Sequence, residues 1–258
     1  MTRAGPTPEG GAAPAAGGAD GPRVRIAAVA DLHAHKGHHG EFRPLVTELE
    51  GKADVLLLPG DLTNLGLPEE AETLAADLAS LRIPILAVLG NHDHHSGKAE
   101  EVKRALAVKA NVTFLEDETF EFGGVGFAGV KGFGGGFGAH MLSAFGEEAT
   151  KHFVSEAISE TIALENALKT LTTPRVVVAM HYSPIAETVA GEPAEVAPFL
   201  GCSRFAEAID RHDIAAVFHG HAHHGSPRGQ TGKGIPVYNC SLALLRHRAM
   251  PPYVIVEV

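Results

Sequence analysis

Apolar and polar positions along this chain fall into blocks, and the blocks repeat. Val24 to Ala30 (Val-Arg-Ile-Ala-Ala-Val-Ala) predicts a first strand, which stops at Asp31-Leu32-His33. A polar loop rich in histidine follows, then helical spacing from about Phe42 to Leu49. Asp54 to Pro59 predicts a second buried strand, which stops at Gly60-Asp61. Pro68 to Leu81 predicts a helix, with proline at its start, two glutamates in its first turn, and Leu74, Leu78 and Leu81 on its apolar face. Ile83 to Leu89 predicts a third strand, which stops at Gly90-Asn91-His92-Asp93 before a helix from about Gly97 to Val108. Three repeats of strand, polar loop and helix imply right-handed βαβ units and a parallel inner sheet. Their polar loops then share the rim at the carboxyl ends of the strands, where open α/β sheets bind ligands.

The period changes after residue 110. Thr119 to Phe122 and Val125 to Val130 predict a hairpin about Gly123-Gly124. The segment from Gly132 to Gly138 is glycine-rich but is followed by Ala139-His140, not by the Lys-Ser/Thr pair of a phosphate loop. It reads as a mobile or tightly turned loop, with phosphate binding by its backbone the weaker alternative. Glu147 to Leu171 predicts a long helix. Arg175 to Met180 predicts a strand that stops at His181, and a helix is expected from about Ser203 to Arg211. Ile214 to Phe218 predicts a strand ending in His219-Gly220-His221-Ala222-His223-His224, and Pro236 to Asn239 and Tyr253 to Glu257 predict closing strands. Residues 1–22, rich in Gly, Ala and Pro, are expected to form a disordered tail. Residues 23–258 are expected to form a single α/β domain, with 130–172 and 182–201 as candidate cap insertions.

Composition narrows the function. A chain of 258 residues, 45% hydrophobic, can bury one sizeable core. A net charge of -10 without a long basic run argues against broad nucleic-acid binding, but leaves room for a small phosphate ester held by metal ions. Two cysteines, Cys202 and Cys240, imply no disulfide framework. No apolar run approaches the roughly 20 residues that span a bilayer, and the first residues lack the apolar segment of a signal peptide. A cytoplasmic protein with no membrane partner is the expectation.

Five predicted strand ends carry metal-ligand types: Asp31 and His33, Asp61, Asn91 beside His92, His181, and His221 with His223. Each has an ordinary reading taken alone. Asp31, His33 and Asp61 could stand in solvated turns, Asn91 and Asp93 could cap the next helix, His181 could be a satisfied core histidine, and His221 to His224 could be a surface tract. A parallel sheet, however, brings all five ends to one rim. Two carboxylates, one amide and four imidazoles without a thiolate suit a pair of borderline-to-hard divalent ions. His92 adds a side chain suited to proton transfer near neutral pH.

These motifs, in the order Asp31-Leu32-His33, Gly60-Asp61, Gly90-Asn91-His92-Asp93, His181 and Gly220-His221-Ala222-His223, resemble those of the calcineurin-like metallophosphoesterases. The resemblance runs from about residue 24 to 224. It implies a four-layer α/β/β/α sandwich with two mixed β-sheets and a dinuclear metal site at the strand carboxyl ends. It implies a first metal on Asp31, His33, Asp61 and His223, and a second on Asp61, Asn91, His181 and His221, with Asp61 bridging. A metal-bridging hydroxide would attack phosphorus, His92 would protonate the leaving alkoxide, and Asp93 would orient His92 or a ligand. The implied activity is a binuclear metal-dependent phosphoesterase acting on a small phosphodiester (cyclic nucleotide-like) or a phosphomonoester. A nuclease and a non-catalytic metal-binding interaction scaffold are the alternatives. The ions would be Mn, Fe, Zn or Co; their identity and the oligomeric state stay open. His35, His38, His39, His94, His95, His219 and His224 crowd the same loops, and Arg228, Arg246 and Arg248 are candidate phosphate contacts or plain surface arginines.

Overall fold

In a computed structural model of the chain, which describes residues 23–258, the predicted parallel strands form half of a two-sheet core. The tail expected over residues 1–22 lies outside the described residues. The first sheet has the order β11-β1-β2-β3-β4. Strands β1 (Arg25–Ala28), β2 (Val55–Pro59), β3 (Ile85–Val88) and β4 (Val112–Phe114) run parallel, and β11 (Val254–Glu257) pairs antiparallel with β1. The second sheet has the order β5-β6-β7-β8-β10-β9. Here β6 (Val125–Val130), β7 (Arg175–Met180), β8 (Ala216–His219) and β10 (Pro236–Asn239) run parallel. The edges β5 (Phe120–Phe122) and β9 (Arg228–Gln230) are antiparallel. Gly123 and Gly124 both have positive φ, 58° and 79°, the turn that a two-residue hairpin needs between β5 and β6.

The strands bury both faces, and alternate residues serve different layers. Ile26, Ala28, Val55, Leu57, Leu86 and Val88 of the first sheet meet Val125, Phe127, Val177, Ala179 and Phe218 of the second. The other face of the first sheet, including Ala27, Leu56, Leu58 and Ala87, packs on helices α1 (Arg43–Leu49), α2 (Pro68–Leu78) and α3 (Ala99–Ala110). The outer face of the second sheet packs on α4 (Glu148–Thr170) through Leu164 and Leu168, and on α6 (Ser203–Ile209) through Phe205 and Ile209. The result is a four-layer α/β/β/α sandwich of two mixed sheets. Two short helices, α5 (Ala197–Leu200) and α7 (Leu242–His247), follow the loops at the carboxyl-end rim. Among the described residues no helix is long and apolar enough to cross a membrane.

The glycine-rich segment is a tightly turned loop, and four of its amides are already spent. Gly132 N–H donates to Glu160, Gly135 N–H to the Pro198 carbonyl, Gly136 N–H to the Gly201 carbonyl, and Gly138 N–H to Ser203 Oγ. Those four donors are therefore not free to cradle a phosphate.

Candidate metal centre

The ends of β1, β2, β3, β7 and β8 meet at one place, and the loops there are bent in an unusual way. Among the described residues six non-glycine positions have positive φ, and four of them are Asp31 (57°), His33 (45°), Asp61 (50°) and His221 (69°). A side chain in this region costs on the order of 1–2 kcal/mol, and such strain tends to concentrate at functional sites. Three glycines let the loops close on the candidate ligands. A Cβ on Gly60 would lie 2.5 Å from His181 Nδ1, one on Gly90 would lie 2.1 Å from Asp61 Oδ1, and one on Gly220 would lie 2.7 Å from Asp31 Oδ2.

Three overlapping groups of ligand atoms result: Asp31, His33 and His223; His33, Asp61 and His92; and Asp61, His181 and His221. Asp31 and Asp61 are buried. Asp31 is held by the His221 amide at 3.1 and 3.0 Å, and the His223 Nε2 atom lies 3.3 Å from Asp31 Oδ1. His33 places Nε2 3.8 Å from Asp61 Oδ2, and neither of its buried ring nitrogens has a hydrogen-bond partner. The buried His181 must donate from Nδ1 to the Pro59 carbonyl (3.1 Å), which can only accept. Its Nε2 lone pair then faces Asn91 Oδ1 at 2.9 Å and Asp61 Oδ1 at 3.4 Å. With Asp61 ionised, those three acceptors converge with no hydrogen among them, an arrangement that a cation resolves. His221 donates from Nε2 to the Phe199 carbonyl (3.2 Å), which leaves Nδ1 with its lone pair.

Without a cation, the same crowding of acceptors shows as a proton held on Asp61. Burial, then the Asp31 and Asp93 charges, push the Asp61 carboxyl up to about 8. Burial would also raise Asp31, but the His223 contact and the other nearby imidazoles hold it below the ordinary carboxylate range. Burial pushes His33 down to about 4 and His221 down to about 3, so both stand neutral near pH 7, as ligands must. Two buried carboxylates beside the neutral His33 and His221 imidazoles fit a pair of divalent cations.

His92 falls within reach of the second group, but its ring is anchored differently from the others. Its Nδ1 donates to the Asn64 carbonyl at 2.7 Å, which fixes the tautomer and turns Nε2 toward the centre, 4.0 Å from Asp61 Oδ2. The fully buried Asp93 acts on the backbone of the ligand loops. It accepts from Gly90 N–H (2.8 Å), Leu62 N–H (3.2 Å), Thr63 N–H (2.8 Å) and Thr63 Oγ1 (2.6 Å). Asp61 and Asn91 are the direct neighbours of two of these donors, so Asp93 ties the second and third loops together, while Asn64 orients His92. Sequence reasoning missed Asn64 because its contribution is a backbone carbonyl, which leaves no side-chain signal.

The remaining histidines divide. His219 is buried; Nδ1 donates to the Gly220 carbonyl and Nε2 meets Thr188 Oγ1, each at 2.8 Å, so it props the turn that carries His221 and His223. Asn239 supports the same turn by donating to the Ala222 carbonyl at 2.8 Å. His35, His38, His39, His94, His95 and His224 are exposed on the surrounding loops. Arg228 stacks over the Tyr238 ring at 5.2 Å, Arg248 donates to the Gly225 carbonyl at 3.4 Å, and Arg246 is exposed on α7.

A Gly90→Ala protein tests this geometry without touching a ligand. Gly90 has no positive-φ requirement, so the added methyl acts by displacing Asp61, both its carboxylate and its backbone amide at 2.3 Å. Metal affinity is expected to fall roughly 10–100-fold with the circular-dichroism spectrum unchanged. Unaltered affinity in a calorimetric metal titration would show that Asp61 does not hold metal from this position.

The comparisons with known proteins agree with the fold and the motifs. An 80-residue stretch is 30% identical to the glycerophosphodiester phosphodiesterase GpdQ of Enterobacter lignolyticus (strain SCF1), taking in 26% of this chain and 29% of that protein. Among solved structures, the phosphopantetheinyl hydrolase PptH of Mycobacterium tuberculosis superposes with a TM-score of 0.66 at 16% identity, covering 92% of this chain and 96% of the other. TT1561 of Thermus thermophilus superposes with a TM-score of 0.52, also at 16% identity, covering 92% and 98%. At such identities these two show a shared fold. The family model described as calcineurin-like phosphoesterase matches residues 24–225, from the first strand through the last ligand motif, and the chain belongs to that family.

Proposed function

We propose that this protein hydrolyses small phosphate esters, phosphodiesters before monoesters, at a centre of two divalent transition-metal ions. Asp31, His33, Asp61 and His223 would hold one ion, and Asp61, Asn91, His181 and His221 the other. The observation that carries the reading is the convergence of His181 Nε2, Asn91 Oδ1 and Asp61 Oδ1 beside the unpartnered nitrogens of His33. Family membership and the diesterase name of the partial relative support the substrate class. The net charge of -10 weighs against a nucleic-acid substrate.

When bound, such ions supply a water of lowered pKa and neutralise charge on the phosphoryl oxygens. The protein's own groups do the rest. His92, anchored at Nδ1, acts in its imidazolium form: it presents a second proton at Nε2 to the leaving-group oxygen, delivers it as the ester bond breaks, and is left as the neutral Nδ1–H tautomer. Asp93 keeps the Asp61 and Asn91 loops in register through its four hydrogen bonds.

The test is a panel of mono- and diesters assayed on stripped protein and on protein reloaded with Mn, Fe or Zn in turn. Stripped protein is expected to be inactive and at least one reloaded form to turn over diesters. Metal-loaded protein that cleaves no member of a broad panel would refute the phosphoesterase reading.

A further inference from the structure

The side of the centre that carries His181 and His221 continues into a row of aromatic rings. The Tyr182 ring lies 4.4 Å from that of His221 and 5.4 Å from that of His181. Phe133 follows at 5.7 Å from Tyr182, Phe153 at 4.8 Å from Phe133, and Phe199 at 5.8 Å from Phe153. Exposure rises along the row. Tyr182 is 7% exposed, Phe133 and Phe153 are half-buried, and Phe199 is 56% exposed. The row therefore leads from a candidate metal-ligand imidazole to the surface.

This wall is held firmly. The Phe199 carbonyl accepts from His221 Nε2, so the outermost ring is joined through its own backbone to the centre. The flanking Pro198 and Leu200 carbonyls accept from Gly135 and Ser183 amides at 2.7 and 3.0 Å. Lys131, which lies 4.8 Å from the Phe133 ring centroid, is paired with Glu156 and Glu160 at 3.4 and 3.3 Å and offers little net charge to a ligand. The far side of the centre differs: beyond His223 stand His224, His247 and Arg248, all exposed. One flank of the site thus presents tilted aromatic rings, and the other presents polar side chains. Fixed, partly exposed ring faces favour another ring in offset or edge-on contact. An apolar patch that adjoins a reactive centre marks a binding surface for part of its ligand.

We propose that the row Tyr182, Phe133, Phe153 and Phe199 is a subsite for an aromatic ester substituent, so that the protein selects phosphate esters bearing a flat ring over those of small polar alcohols. This inference rests on the phosphoesterase reading above. Its test compares phenylphosphonate with methylphosphonate by calorimetry on metal-loaded protein, at a pH where both are dianions. The two share one head group and differ only in what reaches the wall, and neither is hydrolysed. Wild type is expected to bind the phenyl compound about tenfold more tightly. The ratio of the two constants is the readout in Phe199→Ala and Phe153→Leu, where it is expected to fall toward one. Equal affinities in wild type, or a ratio that survives both substitutions, would overturn the subsite and leave the phosphoesterase reading standing. Failure of metal-loaded wild type to bind either phosphonate would count against both.

Discussion

An Asp61→Asn protein is expected to lose turnover by about a thousandfold or more and yet, stripped of metal, to melt at a higher temperature than wild type. The first effect follows from position. Asp61 belongs to two of the three ligand groups and to both proposed cation sites, so an amide in its place weakens both proposed sites and forfeits several kcal/mol of charge stabilisation in the transition state. The second follows from its ionisation. Burial and the nearby Asp31 and Asp93 charges raise its pKa to about 8 in the folded chain, against ~3.9 when unfolded. Between those values the folded protein holds a proton that the unfolded chain has released. The stability from this group is therefore present in full below about pH 4 and is lost as the pH rises through about 8. Asparagine has no such dependence. The melting-temperature advantage of Asp61→Asn over metal-free wild type should widen from pH 4 to 8, and should reverse when divalent ions are added, because wild type alone binds them well. Scanning calorimetry across that pH range checks both statements. A metal-free Asp61→Asn protein less stable than wild type at pH 8 would mean that Asp61 is already compensated without a cation.

Replacing His92 with asparagine is expected to lower kcat about 10²–10⁴-fold on alkyl phosphate esters while metal content stays at the wild-type level. His92 lies outside the proposed ligand sets, and its ring is fixed by Asn64 rather than by a ligand loop carboxylate. The loss should shrink sharply for a p-nitrophenyl ester, whose leaving group departs without a proton. That split separates a proton donor from a residue that merely shapes the centre, which would affect both substrates alike. Full activity of His92→Asn on an alkyl ester would remove His92 from the reaction.

The candidate site was legible in the sequence because each buried strand stops abruptly at a candidate ligand: Ala30 before Asp31, Gly60 before Asp61, Gly90 before Asn91, Met180 before His181. The structure brings those residues together at one rim. The motif glycines were legible only as turn formers, whereas in the fold they permit close approach of one loop to the side chain of another, as Gly90 does with Asp61. The layering was harder to read. Strands such as Val55–Pro59 bury both faces, so their continuous apolar runs carry no alternation to say which residues face which layer. The resemblance, not periodicity, supplied the sandwich. Several short elements had no usable signal. Val112–Phe114 is three residues long, Arg228–Gln230 is a polar edge strand, and Leu242–His247 is a six-residue helix in an apolar run that periodicity cannot assign. The expected helix from Pro68 to Leu81 ends at Leu78, and the helix expected from about Gly97 begins at Ala99. The support for His92 and for much of the glycine-rich loop comes from backbone carbonyls distant in sequence, and the turn under His221 is propped by the side chains of His219, Thr188 and Asn239; no local pattern encodes either.

The central claim is that this rim holds two divalent ions whose presence is required for phosphoester cleavage. Its most direct test is a manganese titration of stripped protein, with bound metal and turnover of a phosphodiester followed together. The account predicts two ions per chain, with turnover rising as the second site fills and absent in Asp61→Asn. Turnover by the stripped chain, or a wild type that takes up no ion at any concentration tested, would contradict it.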